Sequence, residues 1–287
     1  MPAPSTNAID LDAYLQRIGY EGERIASLPT LEAIHACHTR AIAFENLSPL
    51  LGQPVVLDLP SLQQKLVNAG RGGYCFEQNG LFRPVLVALG FQVTSLAARV
   101  LWGVPKGVIT PRSHMLLLVH IDDEPYIADV GFGGLTLATP IRLIHKIAQS
   151  TSHEPFRLIQ TEDTYVMQTY FAQTWQSLYQ FDLQPQHPSD YEVSNWYVST
   201  YPKSPFVNSL IASRLEVNCR YTLRDNRFTT HSLNGATEHR VLTTAKELCL
   251  VLTHEFRLTL PDHPAVENAL HRLIKSADSA IAEIAES

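Results

Sequence analysis

The hydrophobic residues of this chain change their spacing near residue 90, and that change limits the possible folds more than any other feature. Before it, apolar residues recur at helical spacing, whereas after it they fall in short runs separated by turn residues. A helical period does not suit a strand, nor the reverse. We therefore expect an α+β chain in which a helical part precedes a β-rich part. A length of 287 residues allows about two or three structural units.

The first part of the chain is predicted to be helical as far as Leu89. Asp10 and Thr30 are candidate N-caps for the first two helices, and Pro60 with Ser61 opens the third. Pro84 is expected to kink the last helix or to end its regular hydrogen bonding. The helical segments are LDAYLQRIG, LEAIHACHTRAI, LQQKLVNAG and the stretch from Cys75 to Leu89.

The middle of the chain has the pattern of short strands. The runs VTSLAARVLW, HMLLLVHI and EPYIADVGF are followed by FRLIQ, TYVMQTYF and SLYQFDL, and this spacing predicts a β-barrel or a strongly bent sheet. Residues 184–205 are rich in Pro, Ser, Asn and Asp and are interpreted as a long linker. The end returns to mixed structure, with strands LEVNCRYTLRD and RFTTHSL before helices TTAKELCLVLTHEF and HPAVENALHRLIKSADSAIAEIA.

Composition and charge argue against several classes of protein. Apolar residues make up 45% and charged residues 17%, which is typical of a globular chain. The net charge of −6 and the lack of a Lys/Arg cluster argue against nucleic-acid binding. No apolar run approaches the length of a membrane span, and the first residues lack a secretory signal. The four cysteines form no C-x-x-C pair, which argues against a zinc site or a disulfide framework, and a reducing cytoplasm is expected.

The strongest local signal is the segment RGGYCFEQNG around Cys75. Gly72 and Gly73 permit a tight approach to a cysteine at the predicted start of a helix. A helix N-terminus offers unpaired N–H groups and a partial positive charge, which together favour a thiolate over a thiol. The same N–H groups suit the oxyanion that forms when a thiolate attacks a carbonyl. The alternative interpretation is a small buried residue that fills a core.

A cysteine nucleophile needs a base and a group that orients the base. His114 begins an apolar run, and Asp129 is an ionisable residue within another. If Asp122–Pro125 form the hairpin connection, His114 faces Gly133, Asp129 faces Leu118, and both side chains share one face. This register leaves them about 13 Å apart along the strands, so a bulge or another register must bring them together. The alternatives are a surface histidine and an aspartate that ends a strand.

Two further patterns are weaker. The turn Gly131–Gly134 can present N–H groups to a phosphate, although an ordinary strand-ending turn explains it equally well. His35, Cys37 and His38 resemble metal ligands, but only the two histidines share a helical face, and no third ligand is evident. A plain helix surface is the favoured interpretation of these three residues, and no metal site is predicted.

The motifs RGGYCFEQNGLF and DVGFGG, with His114 between them, closely resemble the arylamine N-acetyltransferases. The segments AYLQRIGY, AIAFENLSPL, WQSLYQFDLQPQ and NWYVSTYPKSPF are similar to that family too, so the resemblance covers about residues 10 to 210. It implies a helical bundle over 1–90, a β-barrel over 91–205 that ends in the linker, and an α/β lid over 206–287. The first two would form a cysteine-protease-like core.

The resemblance also implies a Cys–His–Asp triad, carried here by Cys75 in the bundle and by His114 and Asp129 in the barrel. It implies acetyl-coenzyme A as the acetyl donor and an arylamine, arylhydrazine or N-hydroxyarylamine as the acceptor, with no metal. The residues implied to line the acceptor pocket are Phe44, Phe132 and Phe206, and those implied to lie near coenzyme A are Trp102, Ser113, Gly131 and Gly133.

The chain departs from the family pattern at Ala43, where the family usually has proline, and at Pro84, which interrupts the helix after the nucleophile. Arg71 and Glu45 are expected to form a buried ion pair that supports the site. Other functions stay open: a cysteine hydrolase or peptidase on the same core, a macrocycle-forming amide synthase, and a non-catalytic binding protein. The sequence does not indicate an oligomeric state.

Overall fold

The computed structural model describes residues 8–233, 235–261 and 264–285. Residues 1–7, which bear on the predicted lack of a secretory signal, and His263, which opens the last predicted helix, lie outside the described residues. The helices of the first part are α1 (Leu11–Ile18), α2 (Leu28–Ala41), α3 (Leu47–Leu50), α4 (Leu59–Leu62) and α5 (Cys75–Ala88), with strand β1 (Phe44–Glu45) between α2 and α3.

Local capping explains where these helices begin. Asp10 caps α1 as predicted, because its side chain accepts a hydrogen bond from the Ala13 N–H at 3.0 Å. The predicted cap Thr30 is wrong: Ser27 caps α2 and accepts from the Thr30 N–H. Pro84 lies inside α5 without ending it, since the helix continues to Ala88.

The third helix also begins earlier than predicted. Asp58 caps α4 by accepting from the Ser61 N–H at 2.9 Å, and Pro60 lies in the first turn. The chain then passes directly into a π-helical turn over Gln63–Asn68. The left-handed Gly70 follows with a φ of 63°, a conformation that favours glycine.

Residues 92–182 form a nearly closed seven-stranded barrel, which confirms the barrel or bent sheet predicted for the middle of the chain. Its strand order is β5-β4-β3-β2-β8-β7-β6. The chain after β5 approaches β6, where the Lys146 N–H donates to the Leu158 carbonyl at 2.7 Å and the Gln149 N–H to the Phe156 carbonyl at 2.8 Å. The strands are β2 (Gln92–Val100), β3 (Arg112–Ile121), β4 (Glu124–Ala128), β5 (Ile141–Arg142), β6 (Phe156–Thr161), β7 (Thr164–Phe171) and β8 (Thr174–Asp182).

The β3–β4 hairpin has a tighter turn than predicted. Ile121 pairs with Glu124, so only Asp122 and Asp123 form the connection, and both have positive φ. Two left-handed residues give the type I′ turn that matches the twist of the strands. The predicted Asp122–Pro125 connection is therefore wrong, and the register moves by two residues. Leu117 pairs with Ala128, which brings Asp129 closer to His114 than the predicted spacing allowed.

Residues 184–205 are not a linker. Helix α6 (Pro188–Thr200) occupies most of this segment, and α7 (Pro205–Asn208) begins at its end. Pro188 stands in the first turn, and the Asp190 carboxylate accepts from the His187 N–H at 2.8 Å, as in a capping box. Tyr191 anchors α6 to the barrel, because its hydroxyl donates to the Leu96 carbonyl of β2.

The C-terminal part joins strands and helices, as predicted for this part of the chain. In the described residues, the strand order of its sheet is β1-β9-β10-β11-β12, and β1 pairs with β9 through Phe44 and Ser213. Strand β12 was not predicted, since all of its residues are exposed and show no apolar alternation. The elements are β9 (Ile211–Leu215), β10 (Cys219–Arg224), β11 (Arg227–Ser232), β12 (Thr237–Val241), α8 (Ala245–His254) and α9 (Pro264–Ala285).

The side chains of α8 and the start of α9 pack against this sheet around Leu248, Phe256 and Leu270. A separate cluster that includes Leu116 and Met167 fills the barrel. A membrane span is not found in the described residues, where no helix combines sufficient length with sufficient apolar character.

Candidate active site

Cys75 is the first residue of α5 and lies 4% exposed at the edge of a cleft. Gly72 and Gly73, which lead to Cys75, pass so close to neighbouring atoms that only glycine fits at either position. A Cβ on Gly72 would lie 2.1 Å from the Ala43 carbonyl oxygen, and one on Gly73 would lie 2.7 Å from a carboxylate oxygen of Glu77. The predicted glycine approach and helix start at Cys75 are both present.

Two buried carboxylates hold this approach segment. Glu77 accepts from the Tyr74 N–H at 3.0 Å and from the Lys65 ammonium at 2.6 Å. Burial raises the pKa of Glu77, and the Lys65 charge opposes that rise. Glu45 accepts from Nε and Nη2 of Arg71 at 3.0 and 2.7 Å, which confirms the predicted buried ion pair. Burial favours a higher pKa for Glu45, but the Lys65 and Arg71 charges outweigh it and lower the pKa.

His114 and Asp129 are in contact. Nε2 of His114 lies 2.7 Å from Oδ2 of Asp129, and both side chains are buried. Asp129 also accepts at Oδ1 from the Asn79 amide at 3.0 Å and from the Gly131 N–H at 2.9 Å. Burial opposes the charge on Asp129, but His114 and these donors lower its pKa, so it remains a carboxylate.

The charge state of His114 follows from the same contacts. Burial alone lowers the pKa of an imidazole, but the Asp129 carboxylate, with a smaller effect of Cys75, raises the pKa of His114 to about 10. Because Nε2 is bonded to Asp129, Nδ1 is the nitrogen that remains for Cys75. The sulfur of Cys75 is 3.6 Å from the Ser113 carbonyl, next to His114 in the chain. The imidazolium of His114 is therefore the positive charge next to Cys75.

Asn79 and Tyr179 belong to the site, although neither was predicted. Asn79 follows Cys75 by one helical turn, and its amide donates to the Met115 carbonyl and to Asp129 while its oxygen accepts from the Val130 N–H. The ring of Tyr179 lies 4.8 Å from that of His114. Both residues fall within motifs that carry the family resemblance. A polar side chain at i+4 from Cys75 on a buried helix face is the signal that could have revealed Asn79.

Gly131 allows the close approach of β4 to α5. A Cβ at this position would lie 2.8 Å from the Asn79 amide nitrogen and 2.8 Å from the Cα of Cys75. Any larger residue would separate Asp129 from Asn79. The glycine in DVGFGG is therefore explained by packing at the site.

His35 and His38 are fully buried, so the interpretation of them as a plain helix surface is wrong. Nδ1 of His38 accepts from the Tyr14 hydroxyl at 2.7 Å, and Nε2 donates to the side-chain amide oxygen of Gln78, Oε1, at 2.6 Å. Nε2 of His35 accepts from the Asp129 N–H at 3.3 Å. Burial lowers the pKa of His35 to about 4 and that of His38 to about 3, so both are neutral. The described residues contain no group of three or more His, Cys, Asp or Glu arranged to hold a metal ion.

A cleft of about 1130 Å³ opens above Cys75 and His114. Asp129 is not in its wall, because it lies behind His114. Basic side chains stand further along the same cleft, among them Lys203, Arg227 and Arg240. The cleft is lined by every residue that the resemblance assigned to the acceptor or to coenzyme A, namely Phe44, Trp102, Ser113, Gly131, Phe132, Gly133 and Phe206.

The family model of N-acetyltransferases matches residues 27–265, which places the chain in that class of enzyme. Arylamine N-acetyltransferases of Escherichia coli and Mycolicibacterium smegmatis are each 43% identical to it. The alignments cover 88% of this chain and 90% of the E. coli protein, and 89% and 94% for M. smegmatis. The chain belongs to the arylamine N-acetyltransferase family and is an acyltransferase.

Solved structures of relatives agree with the fold. The arylamine N-acetyltransferase of Mycobacterium marinum in complex with CoA superimposes with a TM-score of 0.89 at 37% identity, over 92% of this chain and 99% of that one. The Salmonella typhimurium enzyme gives a TM-score of 0.87 at 38% identity, over 94% and 99%. The mixed helix and sheet architecture with a nearly closed barrel is thus shared.

Proposed function

We propose that this protein transfers an acetyl group from acetyl-coenzyme A to the nitrogen of arylamines, arylhydrazines or N-hydroxyarylamines through an acetyl-Cys75 intermediate. The observation that carries the proposal is the buried contact between His114 and Asp129 beside Cys75, at the wall of an aromatic cleft. The names of the relatives support arylamines as acceptors, and one relative is also named for O-acetylation of N-hydroxyarylamines. The order of events is ping-pong, since one nucleophile serves donor and acceptor in turn.

In the first half-reaction, the Cys75 thiolate attacks the carbonyl carbon of the thioester. The N–H groups in the first turn of α5, the helix that begins at Cys75, would hold the developing oxyanion. When the C–S bond of the donor breaks, coenzyme A leaves as a thiolate and takes the proton of the His114 imidazolium. Asp129 keeps the imidazole oriented through Nε2. Cys75 then carries the acetyl group.

In the second half-reaction, the acceptor nitrogen attacks the acetyl carbon of the thioester on Cys75. Neutral His114 takes the proton of the amine, and Cys75 leaves as a thiolate, which restores the starting ion pair. An arylamine is mostly neutral near pH 7, whereas an alkylamine is mostly charged and cannot attack. Phe44, Phe132 and Phe206 would hold the acceptor ring.

The proposed coenzyme A contacts lie in the same cleft. The four proposed residues line this cleft: Trp102 follows β2, Ser113 lies in β3, and Gly131 and Gly133 lie in the turn after Asp129. A relative has been solved with CoA bound, which supports a coenzyme A site in this fold. The cysteine-protease-like core, the lid role of residues 206–287, the predicted domain limits and the cytoplasmic location remain proposals.

Mass spectrometry of the intact protein tests the intermediate. Mixing with acetyl-coenzyme A without acceptor should add one acetyl group, located on Cys75 by peptide mapping, and Cys75→Ser should acquire no thioester-linked acetyl group. An unmodified wild-type protein would exclude the scheme. The acceptors are then compared. Acetylation of arylamines and arylhydrazines would support acetyl transfer, release of acetate to water would indicate a hydrolase, and ring closure of an acyl donor that carries its own amine would indicate an amide synthase.

A further inference from the structure

Two aromatic walls of the cleft come from distant parts of the chain. Phe44 lies in β1 and Phe206 in α7, yet their ring centroids are 6.1 Å apart. Phe206 also packs on Tyr74, at 5.4 Å, next to Cys75. A helix as short as α7 has little structure of its own, so another group must hold Phe206 against Phe44.

Asn46 makes that connection. It is buried, and its amide nitrogen donates to the Phe206 carbonyl at 2.8 Å and to the Ser209 carbonyl at 2.7 Å. Its amide oxygen accepts from the Ile211 N–H at 2.7 Å. Both donors and the acceptor of the side chain are thus used on backbone groups of one segment, residues 206–211.

The position of Asn46 links the two walls through the sheet. Strand β1 pairs with β9 through Phe44 with Ser213 and Glu45 with Ala212. Asn46 comes next in the chain, and its side-chain oxygen accepts from the Ile211 N–H at the next position of β9. The same side chain donates to the carbonyl of Phe206 in α7 and to that of Ser209, which follows α7. One residue therefore sets the position of β1, β9 and α7 relative to one another, and with it the space between the rings of Phe44 and Phe206.

We propose that Asn46 is a positioning residue for the acceptor. It determines how an aromatic amine is held between Phe44 and Phe206 and leaves the attack on acetyl-coenzyme A unchanged. This inference rests on the proposed function and deepens it. The nucleophile and its partners have separate supports, because Glu77 holds the Tyr74 N–H and Asn79 holds Asp129. The described contacts of the Asn46 side chain reach neither pair.

The test compares kcat/KM for the two substrates in Asn46→Ala. We expect kcat/KM for a small arylamine to fall about tenfold, because a displaced Phe206 no longer aligns the amine nitrogen with the acetyl carbon. The value for acetyl-coenzyme A should stay within about twofold, as should the rate of acetyl-Cys75 formation without acceptor. Asn226→Ala is the matched control, since Asn226 is another buried asparagine that donates to a backbone carbonyl, that of Leu242. It should leave the arylamine value unchanged.

A double-mutant cycle with Phe206→Leu tests the route of the effect. If Asn46 acts through Phe206, the loss caused by Asn46→Ala should be much smaller in the Phe206→Leu protein than in the wild type. Should Asn46→Ala fail to fold, Asn46→Asp retains the acceptor for the Ile211 N–H, loses both donated bonds and should show the same split.

Equal losses for both substrates, full additivity, or an unchanged arylamine value would overturn the role of Asn46. Failure of the proposed function itself looks different. In that case wild-type protein forms no acetyl-Cys75, and no arylamine is acetylated by any variant.

Discussion

Helix α2 and strand β3 both bury histidine side chains, but the two regions place the imidazole in opposite charge states. His38 meets a hydroxyl and an amide, and burial lowers its pKa to about 3. His114 is buried to a similar extent but faces the Asp129 carboxylate, and its pKa rises to about 10. Burial by itself therefore favours the neutral ring. The charge of a neighbour decides whether a buried histidine supports the fold or can exchange protons with a substrate.

The largest expected effect comes from removing the carboxylate on the β3 side. Asp129→Asn keeps the shape of the side chain but leaves His114 buried without its counter-charge, so its pKa should fall below the ordinary value. We expect acetylation of Cys75 in a single turnover to slow by about 10³- to 10⁴-fold, as when the acid of a catalytic triad becomes an amide. Rapid-quench mass spectrometry measures this rate. A loss of less than about tenfold would remove Asp129 from the mechanism.

The second effect concerns stability in acid and belongs to the α2 side. The folded pKa values of His35 and His38 lie below the ordinary value of 6.5. The stability that these neutral rings contribute is complete above about pH 6.5 and is lost as the pH falls towards about 4 for His35 and about 3 for His38. His114 has a raised pKa, so its contribution is complete below pH 6.5 and is lost only as the pH rises towards about 10. The part of the free energy of unfolding that these three histidines supply should drop by about 3 kcal/mol between pH 6.5 and 5.

Urea unfolding at a series of pH values measures that slope. His38→Gln is the matched control, because glutamine cannot gain a proton. This variant should lose about half of the pH dependence in the same interval. A slope equal to that of the wild type would mean that His38 does not couple to folding in this range.

The third effect compares thiols. The imidazolium of His114 lies beside Cys75, whereas burial raises the pKa of Cys37 and of Cys249. Iodoacetamide at pH 7 should alkylate Cys75 at least about tenfold faster than Cys37 or Cys249. Peptide mapping after timed exposure measures the three rates. In Asp129→Asn this advantage should disappear. Equal rates for the three cysteines in the wild type would contradict a charged His114.

Part of this contrast could be predicted from the sequence. The glycine pair and the helix start identify Cys75, because both are local signals. The contact of His114 with Asp129 was implied only by the family resemblance and not by the strand pattern, since it depends on a two-residue turn at Asp122 and Asp123 that shifts the strand register. One shift in register changes which residues meet across a hairpin.

The burial of His38 had a signal, since it shares helical spacing with the apolar Leu31 and Ile34. The hydrogen-bond partners of His38 had no such signal in the sequence, because Tyr14 and Gln78 belong to other helices and only tertiary packing brings them to His38. Helix α6 was interpreted as a linker from its polar composition, although Pro188 and Asp190 form a helix start. The local pattern thus predicted the glycine approach and the helix start at Cys75 better than the contacts that surround them.

The smallest expected effect on the reaction tests whether the α2 histidines are only structural. Tyr14→Phe removes the hydroxyl that donates to Nδ1 of His38 and leaves that acceptor buried without a partner. The free energy of unfolding should fall by about 1 to 3 kcal/mol, as measured by urea titration at pH 7. The rate of Cys75 acetylation should remain within about twofold, because Gln78 still donates to the Gly73 and Ala43 carbonyls that hold the approach to Cys75. A tenfold slower acetylation at unchanged stability would mean that the Tyr14–His38–Gln78 chain reaches the reacting atoms, and the division between the two histidine regions would have to be withdrawn.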